Sequence, residues 1–67
     1  MLNLEKGQPV RVGEIKEVKI EAIGNKGDGI AKVNGFVIFV PGTELNDRVK
    51  IRITKVLKKF GFAEVID

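Results

Sequence analysis

The 67-residue chain lacks the residue types on which much enzyme chemistry depends. It contains no cysteine, histidine, serine, tyrosine or tryptophan. Without serine, cysteine or histidine there is no ordinary nucleophile–base pair. A metal site would depend on carboxylates, and those present are scattered rather than spaced to converge. We therefore expect a protein that is not an enzyme and that binds no cofactor and no metal ion.

The chain also lacks the features that mark secreted or membrane proteins. The absence of cysteine excludes disulfides and fits a reducing compartment. No apolar run approaches the roughly 20 residues that span a bilayer, and the first residues lack the apolar core of a signal peptide. We expect a cytoplasmic, monomeric protein that does not associate with membranes, folded as one domain with a small core.

Helical periodicity is missing as well, since no i, i+3, i+4 apolar stripe lasts for three turns. The apolar residues alternate instead with charged ones in two segments. In the first segment, charged residues separate Val18, Ile20 and Ala22. The second segment comprises residues 48–54. This period of two predicts strands that each bury one face.

Residues 24–42 contain the strongest local signals in the chain. Three glycines lie within residues 24–29, which indicates a loop. Asn34-Gly35 separates two apolar runs and predicts a type I′ hairpin turn. Pro41 cannot donate to a sheet ladder, so the second run should end at Val40. The sequence thus predicts a β-hairpin entered through a glycine-rich loop and left through a Pro-Gly turn.

The C-terminal third predicts two more strands. The first begins at Arg48, with its basic residues outward and a bulge or a coiled bend expected at residues 55–57. The second runs from Phe60 to Ile66, with Ala63 and Val65 expected inward. Five hairpin-connected strands would leave open edges unless the sheet curls, so we predict a small, partly open β-barrel. Residues 1–13 are expected to form an N-terminal tail and residues 14–67 the barrel domain.

Positive charge is concentrated near the C-terminus, where residues 48–67 hold six basic and two acidic residues. Such asymmetry suggests a polyanionic partner. A solvated strand face with lysines that protect a sheet edge is an equally good interpretation.

The four phenylalanines favour the polyanionic partner, because rings beside a basic face are typical of single-stranded nucleic acid binding. The alternative is that the rings belong to the core, and for Phe36 and Phe39 the two interpretations are balanced. The glycine-rich loop is either a flexible turn or a place where bare backbone approaches a phosphate or base. Predicted phosphate contacts are Lys32, Arg48, Lys50, Arg52, Lys55, Lys58 and Lys59, and predicted stacking rings are Phe36, Phe39, Phe60 and Phe62.

Four segments together resemble the TRAM domain. They are Ile20 to Ala22, Gly27-Asp28-Gly29-Ile30-Ala31, Gly35-Phe36-Val37-Ile38-Phe39-Val40-Pro41-Gly42 and Asp47-Arg48-Val49-Lys50-Ile51. The resemblance covers about residues 14–66. It implies an all-β fold, a small five-stranded antiparallel OB-like barrel, that binds tRNA and other RNAs. For stand-alone archaeal members it implies an RNA-chaperone role. Many relatives have a second Pro-Gly where this chain has Leu45-Asn46-Asp47.

We therefore expect an RNA-binding protein that acts on single-stranded or loosely structured RNA with low sequence specificity. Two alternatives remain at this point. One is a protein-interaction module that docks a peptide or a ribosomal surface through the same rings. The other is an accessory subunit that delivers tRNA to a separate RNA-modifying enzyme.

Overall fold

A computed structural model describes residues 10–66, which form six strands joined by turns. The all-β prediction is confirmed, with six strands rather than five because the predicted first strand is divided in two. The strands are β1 (Ile15–Lys19), β2 (Ala22–Ile23), β3 (Gly29–Val33), β4 (Phe36–Val40), β5 (Arg48–Val56) and β6 (Phe60–Val65).

The strands form one sheet in the order β1-β5-β6-β4-β3-β2. β6 lies between β4 and β5, antiparallel to β5 but parallel to β4. The other neighbouring strands are antiparallel, so the expected fully antiparallel arrangement is wrong for the β4–β6 pair. β1 and β2 are consecutive in the chain, yet they lie at opposite edges of the sheet. The sheet must therefore curl until its two edges meet, which gives the predicted OB-like barrel.

The chain passes from one edge to the other at Ile20 and Glu21. The Ile20 amide donates to the carbonyl of Asp47 at 2.8 Å, whereas the next amide, of Glu21, donates to the carbonyl of Ile30 at 2.8 Å. This change of partner explains an error in the predicted facing of Ala22. The residue was expected inward with Val18 and Ile20, but it is exposed because the alternation does not continue through the bend.

The hairpin of β3 and β4 has the predicted geometry. Asn34 and Gly35 have φ values of 55° and 82°, as a type I′ turn requires at both central positions. This turn aligns Val33 with Phe36 and so fixes which face of β4 is buried. Inward residues of β4 are Phe36, Ile38 and Val40, and outward residues are Val37 and Phe39.

The turns that follow β4 lead the chain to β5. Gly42 has a φ of 79°, and the hydroxyl of the buried Thr43 donates to the carbonyl of Val40 at 2.8 Å. The amide of Asp47 donates to the carbonyl of Glu44 at 3.0 Å, which closes a second turn. The predicted Pro-Gly exit from the hairpin is thus confirmed.

The core lies on the inner face of the curled sheet. Its largest fully buried side chains are Ile20, Ile38, Val40, Ile51 and Ile53. The burial of the two β5 isoleucines confirms the predicted register of that strand, with its basic residues on the outer face.

The N-terminal boundary of the packed unit differs from the predicted one. Val10, within the expected tail, is 3% exposed and belongs to the core. The amide of Gly13 also donates to the carbonyl of Ile53 at 2.7 Å. The packed unit therefore includes residues 10–13, while residues 1–9 of the expected tail lie outside the described residues. In the same segment, the Arg11 amide donates a hydrogen bond to the Glu14 carboxylate. This bond, together with the nearby Lys16 ammonium group, lowers the pKa of the Glu14 carboxyl group.

β5 and β6 form a hairpin with a bulge and a two-residue turn. The pairing register shifts between Ile53 and Lys55, so the extra residue is Thr54 and not residues 55–57 as predicted. The turn consists of Lys58 and Lys59 and is closed by the Leu57 amide, which donates to the carbonyl of Phe60 at 2.7 Å.

The end of β6 also departs from the prediction. Val65 was expected to be buried with Ala63, but it is 41% exposed. β4 pairs with β6 only from Phe60 to Phe62, so Val65 has a neighbouring strand on one side only.

Candidate nucleic-acid interface

Three phenylalanines form a cluster on the outer face of the sheet. Phe39 of β4 lies opposite Phe62 of β6, and Phe60 precedes Phe62 on the same face. The ring centroids are 5.6 Å apart for Phe39–Phe60, 5.7 Å for Phe39–Phe62 and 5.6 Å for Phe60–Phe62. All three rings are partly exposed. This phenylalanine triad confirms that Phe62 is not part of the core.

Phe36 is separate from the triad. It is 8% exposed and belongs to the core cluster, so its ring cannot stack on a base in the folded protein. The predicted stacking role of Phe36 is therefore wrong. The ambiguity arose because residues 36–40 are apolar on both faces, and the turn at Asn34-Gly35 decides which face is buried.

The glycine-rich loop encloses one side of the triad. Within this loop the Gly24 amide donates to the carbonyl of Asp28 at 2.8 Å, and the Gly27 amide donates to the carbonyl of Gly24 at 3.0 Å. The loop and the rings enclose an open pocket of about 320 Å³, which we call the triad pocket. Its lining residues are Gly24, Asn25, Lys26, Asp28, Phe39, Phe60 and Phe62.

Four of the predicted phosphate-binding lysines lie around the triad. Lys55 is directly across from Phe62 in the β5–β6 ladder. Lys58 and Lys59 form the turn that leads into Phe60. Lys32 lies opposite Val37, which in turn lies opposite Phe60. All four lysines are exposed, so their charges are available to a ligand on the triad.

The other predicted cations are not brought to the triad. Arg48 lies opposite Lys19, and Lys50 lies opposite Glu17. At about 3.3 Å per residue, Arg48 is roughly 20 Å along β5 from Lys55. Arg52 is nearer, but its guanidinium forms an ion pair with the Glu64 carboxylate at 3.7 Å. The predicted basic face therefore divides into a part beside the rings and a part at the far end of β5.

Lys26, Asn25 and Asp28 are pocket residues that the predicted site omitted. The sequence did single out their loop as a place of close backbone approach. The available signal was a lysine between loop glycines. What the sequence could not show is that the β2–β3 connection lies against rings from β4 and β6.

The remaining electrostatics favour an anionic ligand. Within residues 10–66, Lys16 and Arg52 are the only basic residues that form ion pairs with carboxylates, so the lysines around the triad form none with these residues. Residues 10–66 contain no group of acidic side chains that could hold a metal ion. They also contain no helix long and apolar enough to cross a membrane.

The curled sheet defines the chain as a small OB-like β-barrel domain. A solved solution structure of a conserved protein from Methanococcus maripaludis has the same fold, with a TM-score of 0.87 and 45% identity. The match covers 92% of this chain and 89% of that one. A sequence model of the TRAM domain matches residues 9–66. The chain therefore belongs to the TRAM domain family, which is associated with RNA binding.

The curated relatives include proteins of different lengths. An uncharacterized protein of Methanocaldococcus jannaschii is 53% identical over 87% of this chain and 75% of its own length. Ribosomal RNA large subunit methyltransferase E of Natronomonas pharaonis is 48% identical over 88% of this chain but only 23% of its own length. Translation initiation factor 2 subunit beta of Methanothrix thermoacetophila is 43% identical over 87% of this chain and 28% of its own length. The chain thus spans about a quarter of the methyltransferase and initiation-factor relatives.

Proposed function

We propose that this protein binds single-stranded or loosely structured RNA, including unpaired segments of tRNA, and acts as a cytoplasmic RNA chaperone without catalytic activity of its own. The observation that carries the proposal is the phenylalanine triad, partly exposed beside an open pocket and surrounded by exposed lysines. Exposed rings of this kind offer stacking surfaces to bases.

The proposed mechanism uses the two kinds of side chain differently. Phe39, Phe60 and Phe62 stack on unpaired bases, while Lys55 and its neighbours neutralise phosphates. Neither contact depends strongly on the base sequence, so many RNAs are bound weakly and released quickly. Trapping unpaired segments in this way helps a misfolded RNA to rearrange, whereas tight binding would freeze it.

A second candidate is a role as an RNA-binding accessory to a modification enzyme. It is supported by the rRNA methyltransferase relatives, in which the matching segment makes up 23% of the length. Copurification of this chain with a methyltransferase would favour this candidate over the stand-alone chaperone.

The proposed function is tested first by binding. We expect Phe62→Ala to weaken binding to a fluorescein-labelled ten-nucleotide oligouridine by roughly five-fold or more, because stacking contributes about 1–3 kcal/mol per base. Fluorescence anisotropy measures the affinity. Leu45→Ala is the matched control, since Leu45 is 54% exposed and does not line the triad pocket.

Equal affinities for the wild type and Phe62→Ala would contradict stacking on the triad. The chaperone step is tested separately with an RNA hairpin that carries a fluorophore and a quencher. The wild type should speed its annealing to a complementary strand, and a protein that binds RNA without changing that rate is a binding module only.

A further inference from the structure

The triad pocket contains an acidic residue that phosphate binding does not explain. Asp28 is partly buried and lines the pocket together with Lys26 and the rings. Its carboxylate forms no ion pair or hydrogen bond with any residue from 10 to 66. A carboxylate repels phosphates but accepts hydrogen bonds. Asp28, beside a proposed RNA-binding surface, is therefore suited to a ligand group that donates hydrogen bonds.

Bases supply such groups on their Watson–Crick edges, which are free in single strands. Guanine presents two adjacent donors there, the N1–H and the 2-amino group, which match the two oxygens of a carboxylate. Uracil presents one N–H between two carbonyl oxygens that a carboxylate repels. Adenine and cytosine present an amino group beside an acceptor nitrogen. A carboxylate therefore distinguishes guanine from the other three bases.

We propose that the triad pocket receives one unstacked base and that Asp28 accepts hydrogen bonds from its donor edge, so that the pocket prefers guanine. This proposal rests on the proposed RNA-binding function and adds base recognition at a single nucleotide. Stacking on the triad supplies affinity for any base, and Asp28 supplies the preference. Lys26, exposed on the same loop, is placed to neutralise a phosphate of the bound nucleotide.

The test uses labelled nine-nucleotide oligouridines that differ only at the central position, which carries guanine, hypoxanthine, adenine, cytosine or uracil. A bidentate contact to a base contributes about 1–3 kcal/mol of discrimination, so we expect the guanine probe to bind at least about five-fold more tightly than the uracil probe. Hypoxanthine lacks the 2-amino group and should give an intermediate affinity.

Asp28→Asn should bring the guanine and uracil probes to nearly equal affinity. Its binding to the uracil probe should be unchanged or tighter, because a negative charge is removed. Glu64→Gln is the charge-matched control, since Glu64 lies on the same outer face but does not line the pocket. This control should keep the guanine preference.

The outcomes separate the two proposals. Tight but equal binding of all probes by the wild type overturns base recognition and leaves the proposed function standing, whereas no binding to any probe overturns both. A guanine preference that survives in a folded Asp28→Asn overturns the role of Asp28. If this variant does not fold, the affinities of the wild type for the guanine and hypoxanthine probes are compared instead. Equal affinities for these two probes overturn the bidentate contact.

Discussion

At the scale of single residues, two phenylalanines three positions apart in β4 have opposite environments. Phe36 is part of the core, whereas Phe39 contacts Phe60 and Phe62 on the outer face. Truncating a core ring leaves a cavity, while truncating a ring of the triad removes contacts between partly exposed rings. The same substitution therefore has different consequences at the two kinds of site.

We expect Phe36→Ala to lower the free energy of unfolding by about 3–5 kcal/mol, which is enough to unfold a domain of this size. Phe62→Ala should lower it by about 1 kcal/mol through the loss of its ring contacts. Thermal denaturation followed by circular dichroism measures both. A Phe36→Ala protein as stable as Phe62→Ala would contradict the burial of Phe36.

At the scale of strands, the hairpin of β5 and β6 depends on a close approach of its two backbones. A Cβ atom added to Gly61 would lie 2.7 Å from the carbonyl oxygen of Lys55. Since that oxygen belongs to the backbone beside the bulge, it cannot move without disturbing the ladder. Lys55 and Phe62, which face each other across this hairpin, would be displaced with it.

Gly61→Ala should therefore lower the free energy of unfolding by about 1–3 kcal/mol, in the range of other overpacking substitutions. Gly24→Ala is the matched control, because its added Cβ would meet nothing closer than 3.5 Å and its φ is not positive. Urea unfolding curves compare the two variants. Equal stabilities would show that the hairpin can relax around an added methyl group.

The strands also show what local sequence can predict. The type I′ turn at Asn34-Gly35 and the facing of β5 follow from residues that are neighbours in the chain, and both are confirmed. The facing of Ala22 depends on the bend where the chain changes its partner strand, and the exposure of Val65 depends on where the pairing with β4 ends. Local alternation encodes neither. The triad pocket is harder still, because its loop and its rings come from strands that are distant in the sequence.

At the scale of the whole molecule, the positive charge determines how binding should respond to salt. Each phosphate contact on a single strand adds about −0.7 to the slope of log affinity against log salt concentration. With roughly three to five contacts, the expected slope for oligouridine is about −2 to −3.5. A slope near zero would contradict RNA binding and favour the protein-interaction module.

Lys55→Gln should reduce the magnitude of this slope by about 0.7, since Lys55 lies across from Phe62. Lys19→Gln removes the same charge at the opposite end of the outer face, next to Arg48, and should change the slope much less. Anisotropy titrations at several salt concentrations measure both. Equal effects of the two substitutions would show that the RNA path extends to the far end of β5.

The order of the strands in the sheet has a consequence for how the protein is made. β5 and β6 lie between β1 and β4 in the sheet, yet in the chain they follow the other four strands of residues 10–66. A nascent chain can form the meander of β2, β3 and β4 early, but β1 has no partner until β5 has emerged from the ribosome. The barrel is therefore completed only after β6 has emerged, and until then β1 and β4 expose edges that can pair with other chains.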